Sequence, residues 1–206
     1  VGDRLMEIAL RGPRDAHWLA PQTVGTSDEW MLQPARPDLF LGVSGIALFL
    51  GWLGELAADG RFTDLARAAI VTIRDQFPQG KKILSNIGAY SGWGGVVWVL
   101  THLGVLWSDE TLLADAERVA VEEILPRIPE DENDDLIAGS SGCLISLLTL
   151  HGVRPSDRLV EAAVQWGERL LARASPMDRG LAWPPKTGGS APLAGLSHGV
   201  AGIAWP

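Results

Sequence analysis

Residues 136–148 have the sequence LIAGSSGCLISLL, in which two glycines three positions apart are followed at once by an apolar run. The same arrangement occurs at three other places in the chain. The four leading glycines are Gly42, Gly92, Gly139 and Gly199, so they are separated by 50, 47 and 60 residues. One such pair would indicate only close helix packing. Four pairs at similar spacing predict a repeat architecture built from one helical unit.

The segments between the glycine pairs have apolar residues at helical spacing on one face only. They lie at 63–77, 108–125 and 156–174. Ser108 is expected to cap the second segment, and Leu171 is expected on the apolar face of the third. The glycine-paired helices are apolar on nearly all sides and must be buried, whereas amphipathic helices can cover them from outside. The sequence therefore predicts an all-α fold with inner and outer helices, and 180–183 is the only segment that suggests a strand.

The composition excludes several classes of protein. A chain of 206 residues with 47% apolar and 20% charged residues is large enough for a sizeable core. Its net charge of −8 argues against a nucleic-acid-binding surface. No run approaches the roughly 20 apolar residues of a membrane span. The single cysteine, Cys143, cannot form an intrachain disulfide, which favours a reducing compartment such as the cytoplasm.

The strings around the glycine pairs resemble the lanthionine synthetase C-like family. They are DLFLGVSGIALFL at 38–50, GAYSGWGG at 88–95, DLIAGSSG at 135–142 and GLSHGVAGI at 195–203. The resemblance is closest to the cyclase region of bifunctional type 2 lanthipeptide synthetases. It implies an incomplete α/α toroid, a double ring of helices of which this chain would hold about four of seven pairs. The expected organisation is a single partial domain over 1–206, with an entry segment at 1–37 and repeats starting near residues 38, 88, 135 and 195.

The resemblance also implies an activity. Members of the family add the Cys thiols of a dehydrated precursor peptide to dehydrated Ser or Thr residues, which closes thioether rings. Zinc activates the thiol in these enzymes, and a general acid protonates the resulting enolate. The family's zinc ligands are two cysteines and a histidine in a Cys-His-Gly setting. Because this chain has no Cys-His-Gly and one cysteine, we expect no metal site of that type and no cyclase activity from these residues alone. A dehydratase domain could precede this region in the full protein.

Three residues are candidates for the site. The family's acid/base positions correspond to Asp135 and His198, and we expect both near the beginnings of inner helices. Asp135 also ends the acidic run 130–135, a pattern typical of solvated loops and helix caps, and a lone histidine more often caps or packs. Trp93 is a candidate substrate contact, although core packing is the favoured interpretation. Cys143 is interpreted as a buried core residue.

Tryptophans on apolar helical faces are expected in the core. They are Trp52, Trp98, Trp166 and Trp205. The irregular segment 175–195, just before His198, is a candidate substrate-access loop.

Two other functions stay open. One is a helical-repeat module that binds a peptide or protein without catalysis. The other is a different α/α-toroid enzyme, such as a glycoside hydrolase, which would need two carboxylates at a set separation. Besides Asp135, the only acid at an inner-helix entry is Asp38.

Overall fold

The computed structural model describes residues 1–23, 29–184 and 191–206 and is mainly helical, which confirms the predicted all-α class. The helices are α1 (Gly2–Ile8), α2 (Val43–Ala57), α3 (Gly60–Gln76), α4 (Trp93–Leu106), α5 (Glu110–Val119), α6 (Ser140–Val153), α7 (Asp157–Arg173) and α8 (Val200–Ile203). The strands are β1 (Leu10–Arg11), β2 (Ala16–His17), β3 (Leu19–Thr23), β4 (Trp30–Pro34), β5 (Ser175–Pro176) and β6 (Leu181–Ala182). They form three separate antiparallel pairs, β1–β2, β3–β4 and β5–β6.

The chain divides into two compact units, 1–83 and 84–206. In the first unit the apolar helix α2 packs against the amphipathic helix α3. Leu50 of α2 and Leu65 and Ile73 of α3 are fully or almost fully buried. This pair corresponds to the first predicted repeat.

The entry segment contains a β-hairpin that the sequence did not predict. Strands β3 and β4 pair antiparallel over five residues each, from Leu19 opposite Pro34 to Thr23 opposite Trp30. Both strands contain proline and few β-branched residues, so side-chain propensity argues against them. They are held by backbone pairing at sheet edges, where a missing proline N–H is tolerated. The strand suggested at 180–183 is present as β6.

In the second unit α4 packs against α5 and α6, and α6 packs against α7 and α8. The apolar helix α4 is buried on nearly all sides, since Val96, Val97, Val99, Leu100 and Leu103 are inaccessible to solvent. Helices α5 and α7 bury one face each. The described residues therefore contain three complete pairs of an apolar (predicted inner) and an amphipathic (predicted outer) helix and the start of a fourth, in the predicted order.

Several local predictions are wrong. Ser108 does not cap α5; it adopts a φ of 50°, and Asp109 is the cap, its carboxylate accepting from the Thr111 N–H at 3.0 Å. Leu171 is 67% exposed, because it lies beyond the buried face of α7. Trp52 and Trp205 are 44% and 60% exposed and are not core residues.

The other two tryptophans predicted in the core are buried to different extents. Trp166 is fully buried, as predicted. Trp98 is half-buried and lies against the His102 ring, with centroids 3.7 Å apart.

Within the described ranges, no helix combines the length and apolar character needed to cross a membrane.

Candidate active site

The beginnings of the four inner helices share one geometry. Each leading glycine is the N-cap and has an extended backbone, with φ between −117° and −127°. The N–H of the next residue donates to a carbonyl seven residues earlier, at 2.8–3.2 Å. These bonds join Val43 to Arg36, Trp93 to Asn86, Ser140 to Asn133 and Val200 to Leu193. Each entry loop therefore folds back over the first turn of its helix.

The close approach of the loop explains the leading glycines. A glycine can be required by a positive φ or by a close backbone approach, and the structure shows the second. A Cβ on Gly139 would lie 2.6 Å from the carbonyl carbon of Asn133, and a Cβ on Gly199 would lie 2.6 Å from that of Leu193. No side chain larger than hydrogen fits there without moving the loop.

Asp135 lies in the third of these loops, four residues before its N-cap glycine. Its Oδ1 accepts a hydrogen bond from the Ala138 N–H at 2.7 Å. Asp38 occupies the same position in the first loop, and its Oδ1 accepts from the Leu41 N–H at 2.9 Å. This side-chain turn is therefore a structural feature of the repeat, and both aspartates supply it.

Asp135 has a second partner, His198, which immediately precedes the N-cap of α8. Nδ1 of His198 and Oδ2 of Asp135 are 2.7 Å apart. A carboxylate can only accept, so Nδ1 carries the proton and Nε2 keeps its lone pair when the ring is neutral. The side chain of Asp135 is 21% exposed and that of His198 is 56% exposed. The structure thus brings together the two acid/base candidates and leaves the imidazole accessible.

The packing of α8 on α6 holds the two loops beside each other. Ser141 Oγ, on the first turn of α6, donates to the Gly202 carbonyl of α8 at 2.5 Å. Ile203 of α8 packs in an apolar cluster with Leu144 of α6 and Trp183. The loop that carries His198 is therefore held, through α8, against α6, the helix whose entry loop carries Asp135.

Two residues of the acidic run before Asp135 are anchored, whereas Glu130 and Glu132 are exposed, so the run is a solvated loop only in part. Asp131 accepts from Ser140 Oγ at 2.5 Å, and Asp134 pairs with Arg173 of α7 at 2.5 Å. Burial raises the pKa of the Asp131 carboxyl, and the hydrogen bond from Ser140 opposes that shift. The sequence reasoning did not single out Arg173. The sequence feature that could have indicated it is a basic residue near the end of the predicted helix 156–174, in a chain with an acidic run at 130–135.

Trp93 and Cys143 are both fully buried. The Trp93 indole N–H donates to the Leu84 carbonyl at 3.1 Å, so the structure places it in the core, the interpretation that the sequence favoured. Cys143 is confirmed as a core residue. Burial raises the pKa of its thiol well above the ordinary value, and the charge of Asp131 acts in the same direction.

Cys143 does not suit a zinc ligand of the family's type. A cysteine binds zinc as an accessible thiolate, whereas the Cys143 thiol is inaccessible and burial raises its pKa well above the ordinary value. Across 1–23, 29–184 and 191–206, no three His, Cys, Asp or Glu side chains are grouped to hold a metal ion. The candidate access loop at 175–195 begins with the β5–β6 pair, and its residues 185–190 lie outside the described part of the chain.

Comparison with known proteins agrees with these features. The family model for lanthionine synthetase C-like proteins matches residues 33–206, which include all four glycine-paired loops, Asp135 and His198. No curated protein matches the chain at a significant level. The match covers most of the chain, and the chain belongs to the lanthionine synthetase C-like family.

Proposed function

We propose that this chain carries the proton-transfer pair of a lanthionine-forming cyclase, and that Asp135 and His198 are that pair. The supporting observation is the 2.7 Å contact between Nδ1 of His198 and Oδ2 of Asp135, at the entries of two inner helices of a lanthionine synthetase C-like chain. Asp38, in the equivalent position of the first repeat, has the same backbone turn, but the residue before the leading glycine of the next repeat is Ser91, not histidine. The turn alone therefore does not account for the histidine.

The pair can accept and return the proton that is transferred in a thiol addition. The peptide thiol sulfur forms a bond to Cβ of the dehydrated residue, and the electrons of the C=C bond move into an enolate. Nε2 of His198 takes the proton that the thiol gives up and returns it to Cα, so the addition is balanced. Asp135 keeps the ring in the tautomer with a free Nε2 and stabilises the imidazolium between the two transfers.

The wider setting belongs to the same proposal. The substrate is a dehydrated precursor peptide, the fold closes into a toroid with further repeats, and the enzyme works in the cytoplasm, with a dehydratase domain as its partner. Zinc would activate the thiol, and its ligands would come from residues other than those of this chain. Residues 1–206 alone are therefore expected to form no thioether. Thioether formation faster than the uncatalysed cyclisation of the peptide would contradict that expectation.

The test uses the full gene product and a synthetic peptide with one cysteine and one dehydroalanine. Ring closure leaves the peptide mass unchanged and removes the free thiol, so alkylation followed by mass spectrometry measures the product. His198→Gln and Asp135→Asn should lower the rate about 100-fold or more, the usual contribution of general acid–base catalysis. Asp38→Asn is the matched control, because asparagine can keep the same turn, and it should retain the wild-type rate.

Two outcomes would count against the proposal. Wild-type activity in His198→Gln would remove the histidine from the chemistry. A wild-type protein that binds the peptide without closing a ring above the background rate would support the non-catalytic binding module instead.

A further inference from the structure

We propose that Arg173, together with Arg169 one turn earlier on α7, is a positioning residue that holds the Asp135 carboxylate against His198. The inference rests on the proposed function only in treating Asp135 and His198 as the working pair. It concerns two arginines of helix α7 whose described hydrogen bonds and ion pairs do not include the histidine. Their bonds are to the loop that ends at Asp135.

The two arginines bind three residues in and just before that loop. Arg169 donates from Nη1 to the Ile128 carbonyl and from Nη2 to the Asp131 carbonyl, both at 2.5 Å. Arg173 donates from Nη2 to the same Asp131 carbonyl at 3.2 Å and pairs through Nη1 with Asp134 Oδ1 at 2.5 Å. The planar fork of arginine can bind two acceptors at once, which fixes their relative positions. Lysine, a single point charge, cannot do so.

Helix α6 holds the other side of the same loop. Ser140, the first residue of α6, donates from its hydroxyl to Asp131 Oδ2 at 2.5 Å and from its backbone N–H to the Asn133 carbonyl at 2.9 Å. The loop is thus fixed between the beginning of α6 and the end of α7. Asp134, its last anchored side chain, is 11% exposed and precedes Asp135 by one peptide bond.

The contact between Asp135 and His198 needs this support. A pair in which the histidine is more than half exposed gains little energy by itself, because water competes for both groups. Its geometry therefore depends on the two loops that carry it. The His198 loop leads into α8, which is fixed to α6 through Ser141, and the Asp135 loop is fixed to α7 through the arginines.

The anchoring helix is itself rigidly packed. Trp166 and Leu170 of α7 are buried, and the Trp183 indole donates to the Leu170 carbonyl at 2.8 Å. Leu170 lies between the two arginines in the sequence. The guanidinium groups thus extend from a fixed part of α7, so they can set the position of a loop rather than follow it.

The test is the tautomer of His198, read from the ¹⁵N shifts of its ring in the chain labelled at histidine. His198→Gln assigns the resonances among the four histidines. In the wild type the proton should be on Nδ1. In Arg173→Gln the ring should move toward the Nε2–H form that a free imidazole prefers. Arg173→Lys, which keeps only the charge, should fall between the two.

Arg158→Gln is the matched control, because Arg158 is an exposed residue of the same helix and should leave the tautomer unchanged. A folded Arg173→Gln protein that keeps the wild-type Nδ1–H signals would overturn the proposal. Should Arg173→Gln fail to fold, Asp134→Asn decides the question, because it weakens the same ion pair with a polar side chain in place. An unchanged tautomer in Asp134→Asn would then overturn the positioning role.

A rate measurement separates this inference from the proposed function. In the cyclase assay Arg173→Gln should lower kcat about 10-fold with little change in KM, because a displaced base slows the proton transfer and not the binding. Full activity in Asp135→Asn, combined with a tautomer that responds to Arg173, would refute the catalytic role and leave the positioning role intact.

Discussion

Asp38 and Asp135 show how one residue type at one repeat position acquires two uses. Each carboxylate accepts a hydrogen bond from the backbone N–H three residues later, and this bond supports the loop that enters an inner helix. Asp38 is 6% exposed and performs that role alone among the described contacts. Asp135 keeps a second oxygen for His198. The difference between them is the contact of Asp135 with His198, which a repeat pattern does not reveal.

Cys143 gives a prediction that depends on one side chain. Its thiol is inaccessible, and burial raises its pKa, so both access and thiolate population are low. The folded chain should resist iodoacetamide at pH 8, and labelling should become rapid in denaturant. Mass spectrometry of the time course measures both rates. Labelling of the folded chain at the rate of a free thiol would show that Cys143 is not a core residue.

The residue scale also shows what the sequence could indicate about the site. Asp135 and His198 were identified from the strings around them, and the structure brings them together. Arg173 was missed because its role depends on a contact across 39 residues that no local pattern records. Trp52 and Trp205 were wrongly predicted to lie in the core. Hydrophobicity predicts burial only on average, and many apolar side chains remain exposed.

At the scale of elements, the glycine-paired entry is the unit that repeats. Gly139→Ala should destabilise the fold by about 1–3 kcal/mol, because the new methyl group would overlap the Asn133 backbone and force the loop to shift. Gly167→Ala is the control. Gly167 lies in the middle of α7 with nothing within 4 Å of an added Cβ, so alanine should stabilise the helix by about 1 kcal/mol. Urea unfolding measures both, and equal effects would contradict the explanation of the glycines.

The loop before α6 gives a prediction about pH. Burial raises the pKa of the folded Asp131 carboxyl above 3.8, so the folded state binds the proton more tightly than the unfolded state. The stability that this proton contributes is fully present below about pH 3.8 and is lost as pH rises through the raised pKa. Asp131→Asn removes the titration, so the variant should gain stability relative to wild type as pH increases across that window. Unfolding curves at several pH values measure the difference, and a constant difference would contradict the burial of this carboxyl.

The elements also show why some of the fold could not be read from the sequence. The inner helices were predictable because glycine pairs and continuous apolar runs mark them directly. The β3–β4 hairpin was not, because its pairing is made by backbone groups in strands that contain proline. The cap of α5 shifted from Ser108 to Asp109, since either side chain can cap a helix and only the backbone conformation distinguishes them.

At the scale of the whole molecule, the second unit begins at Leu84, four residues before residue 88, near which the second repeat was predicted to start. The first unit, 1–83, contains the entry segment and the first helical pair. The second unit, 84–206, contains the remaining pairs, Asp135, His198 and the arginines of α7. The candidate site and its supports therefore belong to one compact unit. The regular period of the glycine pairs predicted this order of elements.

The most direct test of the central claim is a double-mutant cycle on ring closure by the full gene product. Asp135→Asn, His198→Gln and the double variant are compared with wild type on the same cysteine and dehydroalanine peptide. If the two residues act as one proton-transfer pair, the double variant should be no slower than His198→Gln alone, because Asp135 works only through the histidine. Rate losses that multiply in the double variant would show two independent roles and contradict the account.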